Sequence, residues 1–213
     1  MLANEIKDLQ HELLEMAGLA EQMLRQAIKS VLTRDEALAH IVIAADDTID
    51  RFENEIESSC IQLIALHQPV ASELRFLTMV MKISHDIERL ADKSVAIAKR
   101  SLELLKYPPV KPFVDLPYVA QLIQTMVKDV LDAFVNRNAE LALAIRERDN
   151  EVDEVYEKML RELLTILTEH PMLISPGISI LLLFRHLERI GDLAASIGEE
   201  VYYLVKGDII RHS

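Results

Sequence analysis

Carboxylates spaced four residues apart are the feature of this chain best suited to chemistry. Asp46/Asp50 and Glu88/Asp92 lie in the first half, Asp149/Asp153 and Glu188/Asp192 in the second. On a helix, positions i and i+4 share one face, with Cβ atoms about 6 Å apart. Such like charges repel by a few tenths of a kcal/mol when exposed. At an effective dielectric near 20 the repulsion grows to roughly 3 kcal/mol per pair. Several carboxylates at one place are the donor set of a hard cation, which cancels that repulsion. Spacing alone is weak evidence, because Glu53/Glu57, Glu147/Glu151 and Asp153/Glu157 share it. A solvated acidic face is the competing reading.

Other chemistry finds little support. No GxGxxG, GK[ST] or GxSxG motif occurs, so nucleotide cradling and nucleophilic catalysis have no sequence basis. The single Cys60 permits neither CxxC nor an internal disulfide, which suits a reducing compartment. It stands at an apolar helical position and reads as core. The methionines mostly follow helical spacing and read as core filler. His85, three residues before Glu88, reads as a surface histidine before a ligand, since its repeat counterpart is Arg185. His186 points away from the acids. Arg89 and Arg189 recur beside them, to hold a carboxylate or an anion or only to pair across helices.

The elements that must carry these residues are helices. Half of the 213 residues are apolar, only 5% are aromatic, and there are five Gly and seven Pro. That is too few turn residues for a β-sandwich or barrel and too much apolar content for disorder. The prolines fall between long periodic stretches. The first stretch has apolar residues at Leu2, Ile6, Leu9, Leu13, Met16, Ala20, Met23 and Ala27, the 4,3 spacing of a bundle seam. Asp35 is placed to cap a second helix running to about Leu66. A third runs from after Pro69 to about Lys106. YPPVKPFVDLP follows, and then three more stretches begin at Pro117, Ala139 and Pro176.

Three helices, a linker and three helices suggest duplication. A shift of 103 places Asp46 on Asp149, Asp50 on Asp153 and His67 on His170. A shift of 100 then places Glu88-Arg89-Leu90-Ala91-Asp92 on Glu188-Arg189-Ile190-Gly191-Asp192. The expected fold is therefore all-α, a tandem repeat of two three-helix bundles with six long helices. The bundles span 1–107 and 116–213, with a proline-rich linker at 108–115. Within the first hairpin, Asp50 lies 18 residues before the turn near residue 68 and Glu88 lies 20 after it. At 1.5 Å per residue the two acidic pairs are level within about 3 Å. In the second half the register stays open by a turn. Asp46, Asp50, Glu88, Asp153 and Glu188 each follow a seam position by one residue, about 100° of rotation. They should flank the core in surface grooves open to water.

Charge and length narrow the partners. The net charge of −12 disfavours nucleic acid and favours cations or a basic partner. No apolar run approaches the roughly 20 residues of a membrane span. MLANEIKDLQ has no basic n-region, so no signal peptide is expected. A di-iron enzyme would need Glu-x-x-His projecting into the core, and Ala91 and Gly191 occupy the corresponding spots. A metal-dependent all-α phosphohydrolase stays open, although no general base or phosphate-binding lysine cluster is evident.

The duplicated ERLAD and ERIGD segments, each on the third helix of its bundle, resemble the PhoU family of phosphate-uptake regulators. The resemblance covers essentially the whole chain, and Pro69 and Arg75 at the entry to the third helix fit it too. It implies a cytoplasmic negative regulator, not an enzyme, linking the ATPase subunit of a phosphate ABC transporter to a sensor histidine kinase. It also implies a homodimer or higher oligomer with metal clusters of iron, zinc, magnesium or manganese. By position the ligands would be Asp46, Asp50, Glu88, Asp92, Asp149, Asp153, Glu188 and Asp192. The chain departs from the family where Asn commonly follows the motif Asp by four residues; Ala96 and Ser196 stand there.

Overall fold

The computed structural model describes residues 2–109 and 115–208. Among these residues seven α-helices follow one another: α1 (Leu2–Thr33), α2 (Glu36–Ala44), α3 (Asp46–His67), α4 (Ser72–Leu104), α5 (Leu116–Asn136), α6 (Ala139–Glu169) and α7 (Ile174–Lys206). A 3-10 turn, Pro171–Leu173, precedes α7. No strand occurs among the described residues. Counting α2 and α3 as one bent rod, the architecture is the expected six long helices in two sets of three. Of the expected linker, residues 110–114 lie outside the described residues, as do 209–213 of the second bundle.

The caps explain where the helices begin and end. Asp35 accepts the Leu38 N–H at 3.1 Å, and Asn138 accepts those of Glu140 and Leu141. Arg34 turns the chain at φ 55° and donates to the carbonyls of Leu104, Leu105 and Tyr107, closing the C-terminus of α4. Pro117 and Pro176 sit in first turns, where no intrahelical N–H is needed.

The second helix is not continuous. At Ala45 the ladder slips to i→i+3 bonds, Ala45 N–H to Val42 and Thr48 N–H to Ala45, while the i→i+4 bond from Ile49 lengthens to 3.4 Å. The slip ends α2 and makes Asp46 and Asp47 the first turn of α3, where the free N–H groups favour acids. The apolar pattern carries on across the break, so periodicity gave no sign of it.

One hydrophobic core runs through both bundles. Leu13, Met16, Met23, Ile49, Ile56, Ile87 and Leu90 are essentially inaccessible, as the seams predict. The bundles join where α4 meets α7 and α1 meets α5, and Phe76 stacks on Phe134 across that junction, with centroids 6.4 Å apart. Ser196 Oγ donates to Asp86, and Ser179 Oγ to Glu103. Seventeen residues forward on α4 thus correspond to seventeen back on α7, so the two helices run antiparallel.

Close approach of α6 to α7 depends on Gly198. A Cβ there would lie 2.6 Å from the Ala142 carbonyl oxygen, a backbone atom with little room to move. Gly198→Ala should therefore destabilise the protein by about 1–3 kcal/mol, overriding the helix-propensity gain of about 1 kcal/mol. A denaturant midpoint at or above the parent's would contradict this packing.

Candidate metal centre

The first carboxylate group forms between α3 and α4. Asp46 and Glu88 are half-buried, and Asp50 and Asp92 are exposed. Burial pushes the Glu88 carboxyl up to about 7, with Asp92 and Glu53 adding to it and His85 opposing. Asp46 is raised by burial, then by Asp92 and Asp50. The four acids thus share one negative field, as the levelled spacing anticipates. The tightest set of donor atoms is a different one, however. Glu53, His85 and Glu88 bring one ligand atom each within 4.8 Å of the others, and His85 Nδ1 lies 2.9 Å from Glu53 Oε1. His85, read from the sequence as a surface residue, joins the group while remaining exposed. Glu53 was read only as part of one more acidic pair. A signal was available: Glu53 stands 15 residues before the turn and His85 17 after it, so the same levelling argument applies.

The second group forms between α6 and α7, where Asp153, Glu188 and Asp192 bring donor atoms within 4.8 Å. Register is kept across the 3-10 turn. Burial pushes Asp149 up to about 7, with Asp192, Asp153 and Glu188 adding to it. This site is more enclosed than an open groove: Glu188 is only 9% exposed, and Asp149 and Asp192 are half-buried. The cause lies in α7, where Gly191 lets Asp149 reach in. A Cβ on Gly191 would sit 2.8 Å from Asp149 Oδ1. Asp149 Oδ1 and Glu188 Oε2 are both buried without a hydrogen-bond partner. Buried carboxylate oxygens of that kind are costly unless a proton or a cation meets them.

The duplicated sites differ at one place. The counterparts of Glu53 and His85 are Tyr156 and Arg185, and there the guanidinium lies over the ring, 5.9 Å from its centroid. Arg185 also donates to Glu188 at 2.9 Å, and Arg189 to Asp192 at 2.6 Å. The first site therefore adds an imidazole and a carboxylate where the second has a cation. Both are rich in carboxylate oxygen, which suits hard metals, while His85 adds a nitrogen suited to zinc or iron. The orphaned oxygens of Asp149 and Glu188 fit such an ion. Cys60 is fully buried and its thiol is pushed up to about 12, by burial first, so it is core and not a nucleophile.

A tandem all-α bundle with a carboxylate centre between two helices of each repeat is the class that fold and site define. Residues 13–101 and 116–201 each match the PhoU domain. The phosphate-specific transport system accessory protein PhoU homolog of Pseudomonas aeruginosa is 37% identical over 209 residues, covering 98% of this chain and 86% of that protein. The homolog from Aquifex aeolicus is 36% identical over 211 residues, covering 99% and 96%. The crystal structure of PhoU from Pseudomonas aeruginosa aligns with a TM-score of 0.95 at 36% identity, covering 98% of this chain and 100% of that one. The phosphate transport system regulatory protein PhoU from Streptococcus pneumoniae aligns with a TM-score of 0.93 at 28% identity, each chain fully covered. This chain belongs to the PhoU family.

The raised carboxyls make stability depend on pH. Glu88 and Asp149 hold their protons to about 7 in the folded state, against ordinary values of 4.5 and 3.8. Folding therefore takes up protons, and their favourable contribution, complete below the ordinary values, is lost as pH rises through about 7. Metal-free protein should melt lower at pH ~8 than at pH ~5.5, and Glu88→Gln/Asp149→Asn should flatten that fall. A slope unchanged in the double variant would show that these groups are solvated like ordinary carboxylates.

Proposed function

We propose that this chain is a metal-binding, cytoplasmic negative regulator of phosphate uptake and phosphate-starvation signalling. It acts as an adaptor between the ATPase subunit of a phosphate ABC transporter and a sensor histidine kinase, as a homodimer or higher oligomer. Near full-length similarity to proteins named phosphate-specific transport system accessory proteins supports the role in phosphate transport. No helix among the described residues is long and apolar enough to cross a membrane, so contact with the transporter is made from outside the bilayer.

The observation that carries the metal reading is the pair of buried oxygens on Asp149 and Glu188 that accept no hydrogen bond, that of Glu188 facing only the Arg189 guanidinium at 3.7 Å, set among two further acids. Asp149, Asp153, Glu188 and Asp192 would hold the second ion or cluster. Asp46, Asp50, Glu88 and Asp92, with Glu53 and His85, would hold the first. A bound cation supplies the positive charge that lets these acids ionise together. The chain's own part is to hold α3 against α4 and α6 against α7, so that the donors meet with little reorganisation. Metal loading would set the shape of these helix pairs, and hence of the surfaces offered to partners.

Glu88→Ala/Asp92→Ala should remove the metal of the first bundle and spare the second, and Glu188→Ala/Asp192→Ala should do the reverse. Metal content per chain and the metal-induced rise in melting temperature check both. Gly191→Ala should weaken the second site with little loss of fold, because its Cβ meets a movable side chain. In cells, deletion should leave phosphate-starvation genes on in phosphate-rich medium, and the paired alanine variants should fail to silence them. Normal silencing without the protein, together with metal-dependent phosphoester hydrolysis by the purified chain, would replace the adaptor with an enzyme.

A further inference from the structure

A second polar feature lies on the α4–α7 seam and borders the second carboxylate group, sharing Asp192 with it. Arg89, Lys93, Arg185, His186 and Arg189 line a groove of about 680 Å³ together with Asp192, Leu193 and Ser196. Four permanent cations meet one carboxylate there, in a chain whose net charge is −12. The two motif arginines, Arg89 and Arg189, enter it from opposite bundles.

The cations are not spent on one another's helices. Lys93 is half-buried and lines the groove without a salt bridge among the described residues. Arg89, Arg185 and Arg189 each donate one hydrogen bond to an acid three residues away, Asp86, Glu188 and Asp192 respectively, and Arg189 also lies 3.7 Å from Glu188. A guanidinium has five N–H donors, so most of each fork is free. All three side chains are 41–50% exposed, and the Arg185 guanidinium lies over the Tyr156 ring, 5.9 Å from its centroid. Long side chains rooted on two rigid helices around a concave, open space give convergent donors rather than a scattered surface.

We infer that this groove binds a phosphate-type oxyanion carrying at least two charges. The charge requirement follows from the ion pairs already present. A carboxylate from solution would only repeat what Asp86, Glu188 and Asp192 offer from the same chain, without their advantage of effective concentration. A phosphoryl dianion concentrates more charge on three strong acceptors and can draw on Lys93 and two guanidinium forks together. The groove's volume exceeds that of a single phosphate and leaves room for a second phosphoryl group or a larger molecule bearing one. The inference does not rest on the metal reading, because the groove lies on the helix seam and can be tested without metal.

The test is calorimetric titration of the chelator-stripped full chain with inorganic phosphate, pyrophosphate and ATP, with acetate and polyglutamate as contrasts. Saturable one-to-one binding of at least one phosphoryl probe is expected, weakening as salt rises. Binding of inorganic phosphate identifies the free ion as sufficient; binding of pyrophosphate or ATP alone identifies phosphoryl groups of a larger ligand. Lys93→Glu should weaken it about tenfold or more, and Lys93→Gln severalfold with less risk to the fold. Lys29→Glu, exposed on α1 away from the groove, should leave affinity unchanged. Unaltered affinity in both Lys93 variants, no saturation by any phosphoryl probe, or binding of polyglutamate alone would overturn the inference.

Discussion

Bringing a carboxylate out of water and beside another raises the free energy of both, and this protein does so once in each bundle. Glu88 and Asp149 are driven up to about 7 by burial first and by neighbouring acids second. Nothing in the groups themselves favours that placement. It is imposed by the core, where Ile49 and Ile87 behind the first site and Val152, Leu187 and Ile190 behind the second are fully buried. Hydrophobic burial of that extent greatly exceeds the repulsion it must overcome. Asp50, Glu88, Asp92, Asp153 and Glu188 each follow a buried residue by one step around the helix, so packing the seam correctly brings the charges together as a consequence. The fold therefore stores an electrostatic stress that a proton or a cation relieves.

How much of this can be read from the residues depends on whether the signal is periodic. Seam positions such as Leu13, Met16 and Met23 are buried as their spacing predicts, and caps such as Asp35 follow from side-chain chemistry alone. The acidic pairs could be levelled because helix rise is constant. What escapes is set by contacts that leave no periodic trace. The slip at Ala45 changes hydrogen bonding without changing the apolar pattern. The enclosure of Glu188 depends on how closely α6 approaches α7, which small residues such as Gly191 and Gly198 permit but do not announce. Glu53 obeys the same levelling as the motif acids, but the repeat does not mark it. It is not duplicated; Tyr156 stands at its counterpart.

That divergence separates two things that duplication first made equal. The motif acids are shared, so both bundles keep the same negative field. Beside it, one bundle places His85 against Glu53 at 2.9 Å and the other places Arg185 over Tyr156. An imidazole beside a carboxylate group adds a metal donor that depends on pH, while a guanidinium there pulls down the raised acids without ligating. Arg185 and Arg189 both oppose the upward shift of Glu188, whereas at Glu88 only His85 does so among its leading neighbours. The two carboxylate groups therefore carry different charge beside the same acids, although the chain that builds them is a repeat.

The helix pair at the middle of the molecule ties these differences together. Each of α4 and α7 presents its motif acids to its own bundle and another face to its counterpart. On that second face Ser196 donates to Asp86, which is 6% exposed and also holds Arg89 at 3.2 Å. A turn further along α7, Glu200 is raised to about 8 by burial and then by Asp86. So Arg89, next to Glu88 in the first motif, is linked through one buried carboxylate to a residue four positions after the motif acid Asp192 in the second bundle. Because Asp86 is nearly inaccessible, losing either partner would leave a buried charge under-satisfied, which is more costly than losing a surface contact. The chain Arg89–Asp86–Ser196 therefore holds α4 against α7 at the seam that the two bundles share.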